Sequence, residues 1–190
     1  MKNFVEIYCD SFYLRPLLEN DIEAIYQIWI NDHVRRFLFD NVIISKQQAM
    51  DEITGSIQLF EKYRYGLWGV FLENNNTMIG FTGYRNFYKP PELHLLYGLL
   101  PEYCGRGYAT ILAKMMIKYG FEEVGFDTII ANTDTLNVAS ARVLEKAGMK
   151  FEKKAVKNRI ETIYYRYKGK DYLSSNFRYN IRRPVKDNSG

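Results

Sequence analysis

Histidine, cysteine and tryptophan are scarce in this chain: its 190 residues include two of each. Cys9 and Cys104 stand far apart, and His33 and His94 supply the imidazoles, so no spacing in the sequence matches a set of metal ligands. Nor do two distant cysteines make a disulfide framework, and the reading is a reduced, cytoplasmic protein without a metal. No stretch approaches the ~18 consecutive apolar residues of a membrane span. The opening MKNFVEIYCD carries acidic residues where a secretory leader needs an apolar run, so neither a leader nor a membrane anchor is expected. Internal repeats and low-complexity tracts are also missing, which excludes solenoid and fibrous architectures.

What is abundant is aromatic. Sixteen Tyr and twelve Phe within a 47% hydrophobic composition exclude a disordered chain and predict an aromatic-lined core or cleft. The length suits one domain able to bury roughly 70% of its extended-chain surface. The net charge of +4 is uneven: residues 1–149 hold 14 basic and 18 acidic groups, whereas residues 150–190 hold 12 and 4. An acidic body with a basic end suggests one folded domain over 1–170 and a basic C-terminal extension over 171–190, its last five or so residues disordered.

Hydrophobic periodicity gives the order β α α β β β α β α β β. A strand covers 12–17. Asn20 and Glu23 form a capping box ahead of Ile22, Ile25 and Trp29, and a second helix runs from Ser45, boxed by Gln48, to about Phe60. Strands follow at 66–72, 77–87 and 92–100, with a hairpin turn at 73–76 and breaks at Pro90-Pro91 and Pro101. A long helix spans 107–123 and a short strand 128–132. A helix opened by Asn137 closes at Gly148, and two last strands cover 149–156 and 160–168. This is an α/β layered domain with helices on both faces of a mixed sheet.

The most informative segment is Leu99-Leu100-Pro101-Glu102-Tyr103-Cys104-Gly105-Arg106-Gly107-Tyr108-Ala109-Thr110. It links an apolar strand to the longest helix. Gly105 and Gly107 leave the backbone open to a ligand, and the helix start offers unpaired N–H groups at its positive dipole end. Such a turn is a cradle for a pyrophosphate. It lacks the third glycine of G-x-G-x-x-G and the Gly-Lys-Ser/Thr of a P-loop, so neither nucleotide fold is implied. A tight strand-to-helix connection with no ligand is the plain alternative. In the second segment, from Asn132 to Met149, Asn137 caps the helix, Ser140 lies one turn on, and Val143, Leu144 and Ala147 form its buried stripe.

Together, Y-C-G-R-G-Y-A-T and, some thirty residues later, N-x-x-S-x-x-V-L-x-K-x-G-M strongly resemble the GNAT superfamily of acetyltransferases. The flavour is that of the Rim-type enzymes, which modify N-terminal amino groups of ribosomal proteins. The opening Leu14-Arg15-Pro16-Leu17 followed by Asp21 is similar to that subfamily's start, and the resemblance covers roughly residues 10–168. It implies a GNAT fold with a mixed, mostly antiparallel twisted sheet of about six or seven strands. It also implies acetyl-CoA as co-substrate. The strand at Leu99 and Leu100 would pair with pantetheine, and N–H groups from Cys104 through Gly105, Arg106, Gly107, Tyr108 and Ala109 to Thr110 would hold the pyrophosphate. Asn132, Asn137 and Ser140 would line the same ligand, and Arg142 and Lys146 further along the helix would either meet its phosphates or stand on a solvated helix face. One departure is Cys104, where relatives usually carry Arg, Gln or Trp; cysteine keeps the backbone donor and loses the side-chain contact. A nucleophilic role for Cys104 is disfavoured because no histidine is near it in sequence.

Acetyl transfer to an amine needs a base for the amine proton and an acid for the thiolate. By alternation Glu92, His94 and Leu96 share one face of their strand, and histidine has an intrinsic pKa near ~6.5. The resemblance places His94 near the acceptor, where relatives often carry Glu, and makes Ser140 the candidate donor to the thiolate, with Tyr164 or Tyr165 competing. Transfer would be direct, with no acyl-enzyme. The acceptor is open: a protein N-terminal amino group, or a small amine such as a polyamine or an aminoglycoside. The basic end, with Phe177, Tyr179, Arg182 and Arg183, would suit a ribosomal or other RNA-rich surface. Competing readings are a nucleic-acid-binding module, which lacks any recognisable signature beyond the basic end, and a catalytically silent CoA-binding GNAT module. Monomer and homodimer are equally compatible with the sequence.

Overall fold

A computed structural model describes residues 5–87, 92–157, 159–172 and 179–183. The break expected at Pro90-Pro91, Phe177 and the final five residues lie outside the described residues. In chain order the elements are β1 (Glu6–Tyr8), β2 (Phe12–Pro16), α1 (Ile22–Ile30), α2 (Asp32–Arg35), α3 (Lys46–Tyr63), β3 (Leu67–Leu72), β4 (Met78–Phe87) and β5 (Glu92–Leu99). They continue with α4 (Tyr108–Tyr119), β6 (Thr128–Asp134), α5 (Val138–Lys146), β7 (Lys150–Lys157), β8 (Ile160–Lys168) and β9 (Asn180–Arg182). The strands form one sheet in the order β7-β8-β6-β5-β4-β3-β2-β1-β9. Every neighbouring pair is antiparallel except β5 and β6.

Among the described residues the sheet therefore has nine strands, not the six or seven expected. The additional β1 and β9 have three residues each and pair with one another, Ile7 opposite Ile181. Segments that short carry no readable period-two pattern, so only the pairing reveals them. The same pairing occupies part of the basic C-terminal segment. Arg182 lies 4.1 Å from the Tyr8 ring centre, and Arg183 donates to Glu123 at 2.7 Å.

Helix starts follow their capping chemistry. At α3 the expected box forms: the Gln48 N–H donates to Ser45 Oγ at 3.1 Å, and the Ser45 N–H donates to Gln48 Oε1 at 2.8 Å. The box expected from Asn20 to Glu23 is replaced by one built on Asp21. That buried carboxylate accepts the Leu18 N–H at 2.8 Å and both guanidinium nitrogens of Arg15 at 2.7 and 2.8 Å. A bidentate charged pair outweighs an exposed amide cap, so a 3₁₀ turn over Glu19–Asp21 precedes α1. The long helix expected to reach residue 123 is α4 followed by a π turn over Gly120–Val124.

Two apolar layers enclose the sheet. α1 and α3 cover one face through Ile25, Trp29 and Ile53, packed with Leu17, Phe71 and Phe81. α4 and α5 cover the other through Leu112, Met116 and Leu144, packed with Tyr84, Leu95 and Ile129. Strand alternation sorts β5 between them: Leu93, Leu95, Tyr97 and Leu99 face the α4–α5 layer, and Leu96 faces the α1–α3 layer. Among the described residues no helix is long and apolar enough to cross a membrane.

Candidate active site

The glycine turn is built as a donor cradle. Pro101–Tyr103 forms a 3₁₀ turn that ends β5, and the Cys104 N–H closes it on the Pro101 carbonyl at 3.0 Å. Gly105 and Gly107 then adopt φ of 75° and 83°, the left-handed region that an L side chain resists. Gly107 also caps α4, its carbonyl accepting the N–H groups of Thr110 and Ile111 at 3.1 Å each. Within the described residues the N–H groups of Gly105, Arg106, Gly107, Tyr108 and Ala109 find no backbone acceptor. A Cβ built on either glycine would meet nothing within 4 Å. The glycines are thus required by backbone conformation and leave open space before a row of donors at a helix N-terminus, which fits a pyrophosphate.

Cys104 ends the other side of the cradle. Its Sγ lies 3.5 Å from His33 Nε2 and 3.6 Å from the Leu100 carbonyl. Sequence distance hid this histidine, 71 residues away along the chain. The contact does not make a thiolate: burial, and then Glu102, push the thiol pKa up, opposite to the shift an activated cysteine requires.

Among the described residues β5 and β6 are joined at a single paired position, His94 opposite Ile130. β5 runs on for five residues beyond it, paired with β4. On the α4–α5 face of that continuation, Tyr97 reaches the first turn of α5. Its hydroxyl lies 2.9 Å from Ser140 Oγ and 3.2 Å from the Ser140 carbonyl. Asn137 fixes the turn, its Oδ1 accepting the Ser140 N–H at 3.1 Å. Burial holds the Tyr97 phenol well above its ordinary pKa, so it keeps its proton at neutral pH. Arg142 and Lys146 are exposed along α5.

The opposite face of β5 carries the second cluster. The His94 side chain is 0% exposed. Its Nδ1 lies 2.7 Å from Asn132 Oδ1 on β6, and its Nε2 lies 3.3 Å from Glu92 Oε2. Tyr164 on β8 stands edge-on to the imidazole, with ring centres 6.3 Å apart. Glu92 is 49% exposed, so it is the solvent-facing end of a Glu92–His94–Asn132 chain. Across β4, Arg85 stands opposite His94 and pairs with Glu52 of α3. Burial raises the Glu52 pKa, and the Arg85 charge opposes the rise.

The structure therefore brings Glu92, His94, Asn132 and Tyr164 together and places Ser140 on the other face. Asn132, expected to line the CoA ligand, meets His94 Nδ1. Tyr164 projects to the His94 side, and Tyr165, one residue on, turns to α5 and donates to Glu145 at 3.1 Å. The residue at Ser140 is Tyr97, to which sequence reasoning gave no role. Its signal was available: it lies three positions after His94, and alternation puts it on the reverse face.

The Acetyltransferase (GNAT) domain family matches residues 11–150. The uncharacterized N-acetyltransferase YoaA of Bacillus subtilis is 30% identical over 148 residues, covering 77% of this chain and 82% of the relative. Among solved structures, the ribosomal-protein-S5-alanine acetyltransferase from Vibrio fischeri superposes with a TM-score of 0.75 at 19% identity, covering 87% of this chain and 97% of that one. AAC(6')-Ib in complex with parmomycin and acetyl-CoA superposes with a TM-score of 0.71 at 15% identity, covering 88% and 99%. With a family match over most of its length and a relative 30% identical over 148 residues, the chain belongs to the GNAT acetyltransferases and is an acetyl-CoA-dependent N-acetyltransferase.

Proposed function

We propose that this enzyme acetylates the N-terminal amino group of a protein or peptide, with Glu92 and His94 taking the amine proton and Tyr97 and Ser140 supplying a proton to the leaving thiolate. The observation that carries the reading is the placement of these two polar pairs on opposite faces of β5, beside the single paired position of β5 and β6. Acetyl-CoA supplies an activated acyl group at a thioester. The acceptor arrives as an ammonium and loses one proton to become the free amine; its nitrogen then bonds to the carbonyl carbon as the carbon–sulfur bond breaks, a second proton leaves the nitrogen, and one reaches the sulfur. The half-exposed Glu92 carboxylate is the group an incoming ammonium meets first, and the buried imidazole at 3.3 Å takes up the proton behind it. On the reverse face Ser140 Oγ donates its proton to sulfur, the Tyr97 hydroxyl at 2.9 Å passes one to the serine, and a proton from solvent restores the partly exposed Tyr97.

The chemistry of the acceptor favours an α-amine. An α-amino group titrates near ~8 and a lysine-type amine near ~10.4, so neutralising the α-amine at pH 7 costs about 3 kcal/mol less. A carboxylate–imidazole pair suits the smaller task. The likeness to the ribosomal-protein-S5-alanine acetyltransferase supports this acceptor class, while AAC(6')-Ib, solved in complex with parmomycin and acetyl-CoA, shares the fold. Release of CoA thiol, measured over a panel of peptides, polyamines and aminoglycosides, tests the reading. Turnover confined to peptides with a free N-terminus supports it, and turnover confined to small amines or absent throughout overturns it.

A further inference from the structure

The row of side chains running outward from His94 ends on a cation. Asn132 on β6 stands opposite Tyr164 on β8, and Tyr164 stands opposite Lys153 on β7. A bulge sets that last pairing: Phe151 faces Tyr165, Lys153 faces Tyr164, and Glu152 is the extra residue between them. Without the bulge the register would put Glu152 opposite Tyr164, so the irregularity exchanges an acid for a base at this spot. Glu152 instead accepts from Arg166 at 2.8 Å.

The Lys153 ammonium lies 5.2 Å from the centre of the Tyr164 ring, itself 6.3 Å from the His94 ring. The neighbouring cations are compensated, Arg85 by Glu52 and Arg166 by Glu152. Lys153 is exposed and forms no ion pair among the described residues. The face thus has a carboxylate, Glu92, at one end, an uncompensated ammonium at the other, and a buried imidazole and phenol between. The two ring distances bring the ammonium within about three residues of extended chain from the imidazole.

Resting on the acetyltransferase reading above, we infer that this row selects peptide acceptors whose second or third residue is acidic. The acceptor ammonium is drawn to Glu92 and the acidic side chain to Lys153, whereas a polycation meets repulsion at Lys153. The test compares kcat/KM for peptide pairs differing only by Asp or Lys at position two or three, with wild type, K153M and K153E. An exposed pair of this kind is worth about fivefold in favour of Asp, and raising the salt shrinks that preference in the wild type. K153M flattens the preference and K153E inverts it. A wild-type preference for the Lys peptides, or a preference that neither salt nor K153E changes, overturns the inference while peptide acetylation itself persists. Failure of the wild type to acetylate any peptide would instead remove the reading on which the inference rests.

Discussion

Replacing Tyr97 by Phe removes one oxygen atom and separates the two jobs the hydroxyl could do. In the fold it makes two hydrogen bonds with Ser140, at 2.9 Å to Oγ and 3.2 Å to the carbonyl. The start of α5 has its own cap in Asn137, so the loss of these bonds costs about 2 kcal/mol of stability. In the reaction, loss of a positioned proton donor costs about 10²-fold in kcat, near 3 kcal/mol in barrier height. Affinity for acetyl-CoA should stay within about twofold, because the cradle lies elsewhere on the chain. Ser140→Ala should lower kcat to a similar degree, and the double variant should be little worse than either single one, since the two hydroxyls act in series. Thiol release gives kcat, calorimetry gives affinity, and a melt gives stability. Full turnover by Tyr97→Phe, or additive losses in the double variant, would refute the relay and reduce the pair to a helix-docking contact.

Three further predictions test other parts of the account. Gly107→Pro removes an N–H from the cradle and cannot adopt a φ of 83°, so acetyl-CoA binding should be abolished in a calorimetric titration; unchanged affinity would remove the cradle from ligand binding. Glu92→Gln leaves the imidazole buried and removes the exposed carboxylate, so kcat/KM with a peptide acceptor should fall about 10²-fold with acetyl-CoA affinity retained. Burial pushes the Tyr119 phenol up to about 12, and its hydroxyl donates to the Arg64 carbonyl at 2.6 Å. Because the folded pKa is raised, this stabilisation is complete below the ordinary ~10 and is lost as pH rises from there toward 12. Tyr119→Phe should flatten that alkaline loss in thermal melts taken across the window.

The parts of the molecule legible in the sequence are those fixed by local chemistry. A φ above zero demands Gly105 and Gly107, a side-chain oxygen demands Ser45 and Asn137 at helix starts, and alternation along 92–99 sorts Glu92 and His94 from Tyr97. What was hidden depends on partners distant in the chain. Asp21 displaces the cap expected at Asn20 because Arg15 arrives from β2. Tyr97 meets Ser140 across 43 residues, and His33 meets Cys104 across 71. Sequence spacing cannot say whether Tyr164 or Tyr165 turns toward α5; the pairing of Tyr164 with Asn132 and the bond from Tyr165 to Glu145 decide that. β1 and β9 needed each other to exist at all, one from each end of the chain.

The most direct test of the central claim is single-turnover transfer from radiolabelled acetyl-CoA to a peptide with a free N-terminus, with Glu92→Gln and Ser140→Ala run beside the wild type. The account predicts label on the peptide's α-nitrogen with the wild type, slow transfer by both variants, and no label on the protein. Label retained covalently on the protein, or equal rates in all three enzymes, would contradict a direct transfer served from both faces of β5.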